Sequence, residues 1–518
     1  MSSLNPDRMK HRYTLLFIST SFLATIMCAQ PGALDPLFGT GGWLGLDGGG
    51  TLIAETAYDM EIQPDGKIVM IGYFADQQVV VRYMPDGSLD PSFGIGGIVD
   101  TNVAVDWQVW NIALQPDGKI LITSSIVDGL QSKLAVVRYL TDGSLDITFG
   151  GDGVAEATIG AETSEGYDVA VHSDGKIVVA GRSVESVYFS ATTVRFMPDG
   201  SLDNSFSGDG IIQWTANGDE TVRSVAIQPD GKVLVAGALF NPLFYDAFIL
   251  RYNVDGTPDN TFGTAGSVIM DLGGTVDEFT RILLRPGGKI LLTGNTGSSA
   301  PFRLPIAVQL NSDGTPDLAF GTNGVTSVLM SADAICFGSL LQSTGEVVMT
   351  ATVFATDNVE PALIRLTAAG QLDATFGTGG IAWGPTAPEE YHYNMVKQLA
   401  GGQFMVCGAL VYSSNNSDIL LARHLSSGMA AIEEQNTSDG DLALWPVPAG
   451  DILHIAIGDG PASGFSIELR DATGRSIPTT PTIAGLEMTL NVAELPPGVY
   501  CITSRHGTHS ITQRFIKD

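Results

Sequence analysis

The sequence predicts an all-β protein: a seven-bladed β-propeller of four-stranded blades, followed by a small β-sandwich. Two short motifs alternate from residue 34 to residue 424, in seven copies each, with a period of 55 to 58 residues. Repetition at a period of this length is typical of solenoids and propellers. Within each period, runs of valine, isoleucine and leucine are separated by Asp-Gly turns, a strong hairpin signal. The last eighty or so residues lack the repeat but also alternate apolar and polar positions.

Four strands are predicted within one period. Residues 221–228 alternate apolar and polar side chains, a PDG turn follows, and residues 232–239 return. Residues 246–252 form the next apolar run, and after a second turn residues 266–272 form a short fourth strand. Four antiparallel strands in sequence make one blade of a propeller.

The phase of the repeat predicts how the fold closes. The chain begins with the fourth-strand part of a period, and the last period ends after its third strand, at residues 418–424. We expect the N-terminal strand to complete the seventh blade, because that pairing removes the open edges of the sheet. An open solenoid would need polar capping repeats, and the sequence contains none.

Each period carries an aspartate in an LDxxFG-like motif, and the third strand of six periods ends in an arginine. Gln309 replaces that arginine in the remaining period. We expect each arginine to pair with an aspartate across the hairpin, and the motif phenylalanine to pack between blades. Residues that recur in every repeat are interpreted as structural. The expected pairs are Arg82–Asp90, Arg138–Asp146, Arg195–Asp203, Arg251–Asp259, Arg365–Asp373 and Arg423–Asp35.

Residues 1–29 are predicted to be a secretory signal peptide. Three basic residues precede a mostly apolar run, which ends in the small residue Ala29 before a plausible cleavage point. Lipidation at Cys28 is the alternative. Cleavage would leave Cys336, Cys407 and Cys501, an odd and widely spaced set that does not predict a disulfide framework. The net charge of −30, without a basic cluster beyond the N-terminus, argues against nucleic-acid binding.

The alternation of xQPDGKxxxxG with VRYxxDGxLDxxFGxxG resembles the delta-60 repeat family, propeller-forming repeats of bacterial secreted proteins. The resemblance covers about residues 34 to 424, within a predicted propeller domain of residues 30–428. It implies the fold and says little about activity, because the family has no established common chemistry.

Residues 429–440 form a small, polar stretch predicted to be a linker, and residues 441–518 are predicted to form the β-sandwich. This last segment resembles the type A sorting domain of type IX secretion. The resemblance implies recognition by an outer-membrane translocon, delivery to the outer cell surface or the medium, and removal or exchange of the domain for an anchor. The residues that carry the match are Pro446, Pro448, Asp451, Asp471, Gly474, Gly498, Tyr500 and Lys517.

Acidic residues precede the PDGK strand of every period. If that strand is innermost, these carboxylates ring one mouth of a central channel, where they could bind calcium or a basic ligand. Hydrated turn acids copied along with the repeat are the alternative. The candidates for this acidic rim are Glu55, Asp106, Asp219, Glu220, Asp277, Asp333 and Glu390.

Aromatic residues depart from the repeat near the same predicted face. Trp107, Trp110, Tyr391 and Tyr393 suit contact with a sugar or a peptide, and core packing explains them equally well. His392 lies beside two glutamates and could be a general base, or a loop histidine next to solvated acids.

Common catalytic motifs are absent from the sequence, so no catalytic residue and no cofactor are predicted. The leading interpretation is an exported, monomeric propeller that binds a glycan or a protein. The alternatives are a glycan hydrolase or lyase that uses the acidic rim, and a purely structural surface protein.

Overall fold

The fold is described from a computed structural model of the chain. It describes residues 30–426 and 442–517, apart from several short segments. The gaps are residues 48–54, 75–76, 102–109, 129–130, 161–162, 186–187, 217, 242, 298–301, 357, 387–388, 414–415, 446–451, 458–465, 472–474, 485–486, 497 and 507–508. The predicted signal peptide and linker therefore lie outside the described residues. The chain divides into two compact units, one of which is Gln30–Gly428.

The unit Gln30–Gly428 is all β, with seven antiparallel sheets in propeller-like repeats among its described residues. Sheet 1 is formed by Thr56–Ile62, Ile68–Phe74, Gln77–Tyr83 and Ile98–Asp100. Sheet 2 is formed by Ile112–Leu114, Ile120–Asp128, Gln131–Tyr139 and Val154–Ala157. Sheet 3 is formed by Ser164–Val171, Ile177–Glu185, Tyr188–Phe196 and Ile211–Trp214. Sheets 4 and 5 are formed by Asp219–Ile227, Val233–Phe240, Tyr245–Tyr252 and Ser267–Met270; and by Glu278–Leu284, Ile290–Gly297, Arg303–Leu310 and Val325–Ser327.

Sheets 6 and 7 vary this pattern. The first strand of sheet 6 is split into Asp333–Ile335 and Ser339–Leu341, which both pair with Val347–Phe354, and the sheet continues with Val359–Leu366 and Ile381–Trp383. Sheet 7 contains Glu390–Gln398, Phe404–Ser413 and Asn416–His424, and its fourth strand is Trp43–Leu46 from the start of the chain. The one short 3-10 turn of the described residues is Pro286–Gly288, and none of them forms a helix long and apolar enough to cross a membrane.

The middle strands of each sheet are buried on both faces. Val233–Phe240 and Tyr245–Tyr252, for example, are buried along most of their length. Such continuous apolar strands are expected where a sheet is covered on both sides. The cover is the neighbouring sheet: Leu234 and Ile249 of sheet 4 share one core cluster with Phe279 and Ile290 of sheet 5.

Sheet 7 packs against sheet 1 in the same way. Ile68 and Met70 of sheet 1 share a core cluster with Met405 and Leu421 of sheet 7. The early strand is paired in register with the late one, with Trp43 opposite Ala422. The first and last sheets of the unit are therefore direct neighbours.

The motif phenylalanines are buried between successive sheets, each against a turn glycine of the following sheet. Phe206 is fully buried, and a Cβ atom added at Gly256 would lie 3.0 Å from its ring and 2.7 Å from the amide nitrogen of Ser207. Gly256 also has a positive φ of 85°, which side chains of L-residues rarely adopt. The equivalent contacts are Phe38 with Gly87, Phe93 with Gly143, Phe149 with Gly200, Phe262 with Gly314, Phe320 with Gly370 and Phe376 with Gly32.

We expect Gly256→Ala to destabilise the unit more than Gly208→Ala. Both glycines have a positive φ, but an added Cβ at Gly208 meets nothing within 4 Å. The control should lose about 1 to 2 kcal/mol from backbone strain, and Gly256→Ala a further 1 to 3 kcal/mol, roughly, from the forced shift of Phe206. Urea denaturation of both variants measures the difference, and equal losses would contradict the packing role of this glycine.

The C-terminal unit contains two four-stranded antiparallel sheets among its described residues. One is formed by Leu442–Trp445, Ile452–Ile457, Glu487–Asn491 and Thr482–Ala484; the other by Ser476–Ile477, Ser466–Asp471, Gly498–His506 and His509–Lys517. Leu453 and Met488 of one sheet share a core with Leu469 and Ile502 of the other. The alternating pattern of this segment is explained by one face of each sheet packing inward.

Candidate functional site

The repeated arginines and aspartates form the same junction in sheet after sheet. Arg195 Nε lies 2.7 Å from Asp203 Oδ2, and Lys176 Nζ lies 2.9 Å from the same oxygen. The other carboxylate oxygen accepts hydrogen bonds from the amide and hydroxyl of Ser205. The Nε–Oδ2 distance is 2.7 or 2.8 Å for Arg82–Asp90, Arg138–Asp146, Arg251–Asp259, Arg365–Asp373 and Arg423–Asp35.

Each junction also ties one sheet to the next. Arg195 Nη1 donates to the carbonyl of Val254 in the following sheet at 2.6 Å, and its guanidinium lies 4.3 Å from the centre of the Phe206 ring. In the period that lacks the arginine, Gln309 and Lys289 both donate to Asp317. The repeated polar residues therefore hold the scaffold together.

These contacts stabilise the charged form of the aspartates. Burial alone would raise the pKa of Asp146, but hydrogen bonds from Thr148 and the charges of Arg138 and Lys119 outweigh it and lower the pKa to about 2. The same contacts lower the pKa of Asp90, Asp203 and Asp259. These aspartates are thus charged at neutral pH, and each lies beside both an arginine and a lysine.

Most of the rim acids bond to nearby protein groups. Asp219 Oδ1 accepts the Phe189 amide of the preceding sheet at 2.9 Å. Asp333 accepts the Arg303 amide of its preceding sheet and pairs with the Arg303 side chain at 2.6 Å. Glu220 is buried and accepts the Ala216 amide at 2.7 Å, and burial raises its pKa.

The remaining rim candidates are dispersed. Glu55 is buried and hydrogen-bonds Ser417 through its backbone, whereas Glu390 is exposed. Asp106 and Trp107 lie outside the described residues. Asp277 is buried, and its carboxylate oxygens come within 4.8 Å of those of Asp246 and Asp271. Asp277 already accepts hydrogen bonds from Leu272, Gly274 and Thr296, so calcium binding at this face stays a prediction.

The flagged aromatic residues of sheet 7 are core residues. Tyr391 and Tyr393 are both buried, and the Tyr393 hydroxyl lies 2.7 Å from His424 Nε2. His392 is half-buried, and burial lowers its pKa although Glu390 opposes the shift. Its ring centre lies 5.8 Å from that of Phe354.

A different set of residues converges from several sheets. Arg281 of sheet 5 contacts Asp59 of sheet 1 at 3.3 Å and Asp168 of sheet 3 at 3.5 Å. Asn111, next to sheet 2, donates to Asp59 Oδ2 at 2.6 Å. These four residues, the central cluster, each stand five residues before the turn that ends the first strand of their period. One side chain can bridge sheets 1, 3 and 5 only if their first strands approach one another.

The central cluster combines one cation, Arg281, with two buried carboxylates. Desolvation lowers the pKa of Arg281, but the carboxylates of Asp59 and Asp168 outweigh it and raise the pKa. Burial raises the pKa of Asp168 in spite of Arg281 and the amide of Val225. A second bridge lies two residues further along the strands, where Lys397 of sheet 7 contacts Glu61 of sheet 1 at 2.6 Å.

Sequence reasoning missed the central cluster because the residue type at this position differs from period to period. The equivalent positions in the other periods are Ser224, Gly338 and Met395. A motif search finds residues that recur and overlooks a position at which the repeats differ. The signal that could have revealed the cluster was the variation in residue type at this one position of an otherwise regular repeat.

Comparison with known protein families gives a match to five of the seven periods. The family described as "Domain of unknown function (DUF5122) beta-propeller" matches residues 63–93, 115–149, 172–206, 228–262 and 286–320. The chain carries DUF5122 propeller repeats. The two unmatched DUF5122-like periods have STGE and AGGQ where the first two have PDGK, which explains the weaker signal.

The C-terminal unit matches a second family, described as a secretion system C-terminal sorting domain, over residues 443–518. The DUF5122 repeats are therefore the cargo of a type IX sorting domain, which implies export to the cell surface or the medium and interaction with the secretion machinery. Of the residues that suggested this domain, Pro446, Pro448, Asp451 and Gly474 lie outside the described residues. Tyr500 and Lys517 are buried in neighbouring strands, and the Tyr500 hydroxyl donates to the Pro496 carbonyl at 2.7 Å.

Several solved structures show distant similarity to this chain, and no curated protein matches it. The polysaccharide lyase Uly1 is 10% identical, with a TM-score of 0.37, over 71% of this chain and 90% of the lyase. Prolyl oligopeptidase B from Galerina marginata is 12% identical, with a TM-score of 0.40, over 88% of this chain and 55% of the peptidase. Plexin A4 is 9% identical, with a TM-score of 0.41, over 89% of this chain and 52% of the plexin. Similarity at this level indicates neither an activity nor a ligand.

Proposed function

We propose that this protein is an exported binding module: a closed, seven-bladed propeller that presents its non-repeated residues to an extracellular ligand. Residues 1–29 act as a cleaved signal peptide in this proposal, and the sorting domain delivers the propeller to the outer surface or the medium.

Three contacts between the chain ends support the closed ring. The strand Trp43–Leu46 pairs with Asn416–His424, and Arg423 pairs with Asp35 at 2.8 Å. The amide of Gly377 in sheet 6 donates to the carbonyl of Pro31. In other sheets the equivalent amide donates to a turn carbonyl of the following sheet, as Gly150 does to Asp199. Blade seven is then made from both ends of the segment, so that its third strand, Asn416–His424, is not left unpaired at the edge of the sheet.

The central cluster is the observation that favours binding over catalysis. Side chains that recur in nearly every period form the junctions, whereas the side chains that differ from period to period converge on the axis of the proposed ring. Asp59 and Asp168 are both bonded to Arg281 there. A glycosidase needs two carboxylates at a defined separation that reach the scissile bond, whereas Asp59 and Asp168 are both buried and held by Arg281.

A glycan array probed with the mature chain tests the proposal. We expect retention of one glycan class and no release of shortened product after prolonged incubation, followed by mass spectrometry. Release of shortened or unsaturated oligosaccharides would instead favour a hydrolase or lyase. No retention of any glycan, with no turnover, would support a purely structural surface protein.

A further inference from the structure

A β-bulge occurs at the same place in the first strand of five sheets. The pairing with the second strand skips one residue, which stands six residues before the turn. Bulges redirect side chains and are enriched beside functional sites. The bulged residues are Tyr58, Tyr167, Arg223, Thr280 and Asn394 of sheets 1, 3, 4, 5 and 7.

Three aromatic side chains at this position form a continuous row, the aromatic arc. Trp110 holds the equivalent position ahead of the first strand of sheet 2. Its ring centre lies 5.9 Å from that of Tyr58 and 5.3 Å from that of Tyr167. The guanidinium of Arg223 lies 5.8 Å from the Tyr167 ring, so the row runs across four successive sheets.

The arc borders the central cluster. Tyr58, Trp110 and Tyr167 each immediately precede a cluster residue in the chain, namely Asp59, Asn111 and Asp168. Since those cluster residues meet near the axis of the proposed ring, the arc lies at the inner ends of the first three sheets. Tyr58 and Trp110 are half-buried, so part of each ring surface remains accessible.

Charged groups stand beside the arc. Glu165 binds the Tyr167 hydroxyl and pairs with Arg182 at 2.9 Å. The side chain of Arg223 is 41% exposed, and its contact with Glu278 is long, at 3.7 Å. Arg223 therefore keeps donor groups for a ligand. Trp110 Nε1 is a further donor, buried and without an acceptor among the described residues.

We propose that the aromatic arc and Arg223 bind a sugar ring of a neutral glycan. This inference rests on the proposed binding function and supplies its ligand class. A sugar ring presents an apolar C–H face, which stacks on aromatic rings, and a rim of hydroxyl groups, which need donors and acceptors. Tyr58 and Trp110 offer the accessible ring surface, whereas Tyr167 is buried and packs against Trp110. Arg223, Glu165 and Glu278 offer the polar partners.

The charge balance selects a neutral glycan over an anionic one. Arg182 and Arg223 each face a glutamate, so neither is an uncompensated cation. The whole chain carries a net charge of −30 and repels polyanions at low ionic strength. An apolar peptide side chain fits less well, because it would leave these charged groups without hydrogen-bonding partners beside it.

The experiment combines the glycan array with site variants of the mature full-length chain. We expect the mature parent chain to retain neutral glycans in preference to uronate or sulfated glycans, both at low salt and at 0.5 M salt. Titration calorimetry with the best neutral oligosaccharide should show affinity at least ten-fold weaker for Trp110→Ala and several-fold weaker for Arg223→Gln. Trp110→Phe, which keeps an aromatic ring, should lose less than Trp110→Ala.

Trp383→Ala is the matched control. Trp383 is 38% exposed on the fourth strand of sheet 6, outside the arc. The affinity of the Trp383→Ala variant for the oligosaccharide should stay within two-fold of that of the parent chain. Circular dichroism should show that all variants fold. Neutral-glycan binding that survives Trp110→Ala and Arg223→Gln would refute the arc while leaving the binding function intact. A chain that retains anionic glycans alone would refute the assignment to neutral glycans, and one that retains no glycan would refute the ligand class and the proposed function together.

Discussion

Replacing Asp35 with alanine is expected to lower the free energy of unfolding of the propeller unit by about 3 to 5 kcal/mol, the usual cost of leaving one partner of a buried ion pair alone. Asp35 is 1% exposed, and the Arg423 side chain is 15% exposed. Without the carboxylate, the guanidinium of Arg423 would stay beside Phe38 with no counter-charge. Chemical denaturation measures the loss.

Two companion variants make the result specific to ring closure. Asp203→Ala, which breaks the same junction within one sheet, should lose a similar amount. Asp65→Ala removes an exposed turn acid and should lose well under 1 kcal/mol, roughly the value of a surface ion pair. A double-mutant cycle between Asp35 and Arg423 should show coupling. If Asp35→Ala left the unfolding midpoint unchanged, the Asp35–Arg423 pair would contribute nothing to the stability of the unit.

Replacing Arg281 with methionine is expected to cost about 3 kcal/mol at neutral pH. Two carboxylates, Asp59 and Asp168, would then share a buried site without their cation. Lys133→Met is the control, since it removes one ion pair with the half-exposed Glu156 and should cost less than about 1 kcal/mol.

The loss in Arg281→Met should shrink as the solution becomes acidic. Burial already raises the pKa of Asp168 in the folded protein, and removing Arg281 raises it further. A carboxyl group with a raised folded-state pKa binds its proton more tightly when folded, so the penalty is full above that pKa. It is smallest below the ordinary aspartate value of about 3.9. Denaturation of parent and variant at matched pH values measures this difference, and a pH-independent difference would contradict the role of Asp168.

The repeated parts of the fold could be predicted in detail because each repeat confirms the others. The alternation of apolar runs with Asp-Gly turns located the strands, and the fixed spacing of arginine and aspartate located the junctions. The lysine of the PDGK turn was not assigned a role in advance. It reaches the same carboxylate, as Lys176 does at Asp203, and such a contact depends on a three-dimensional approach that spacing alone does not reveal.

The candidate site was much less accessible to sequence reasoning. A bulge adds one residue to a strand and reverses the faces on either side of it. Simple alternation of apolar and polar positions therefore assigns the side chains of Tyr58 and Tyr167 to the wrong face of the sheet. Their contacts with Trp110 also join three separate periods, which spacing within one period does not reveal. The acidic residues show the opposite difficulty, because a regular ring was expected from their spacing. Asp219 and Asp333 instead bond to groups of the preceding sheet.

Building one sheet from both ends of the segment has a consequence for biogenesis. Asp35 and Arg423 are 388 residues apart, so the early strand waits for its partner until almost the whole unit Gln30–Gly428 has been synthesised. Pairings this remote in sequence form slowly. In the proposed ring, blade seven therefore cannot form until the other six blades have been synthesised.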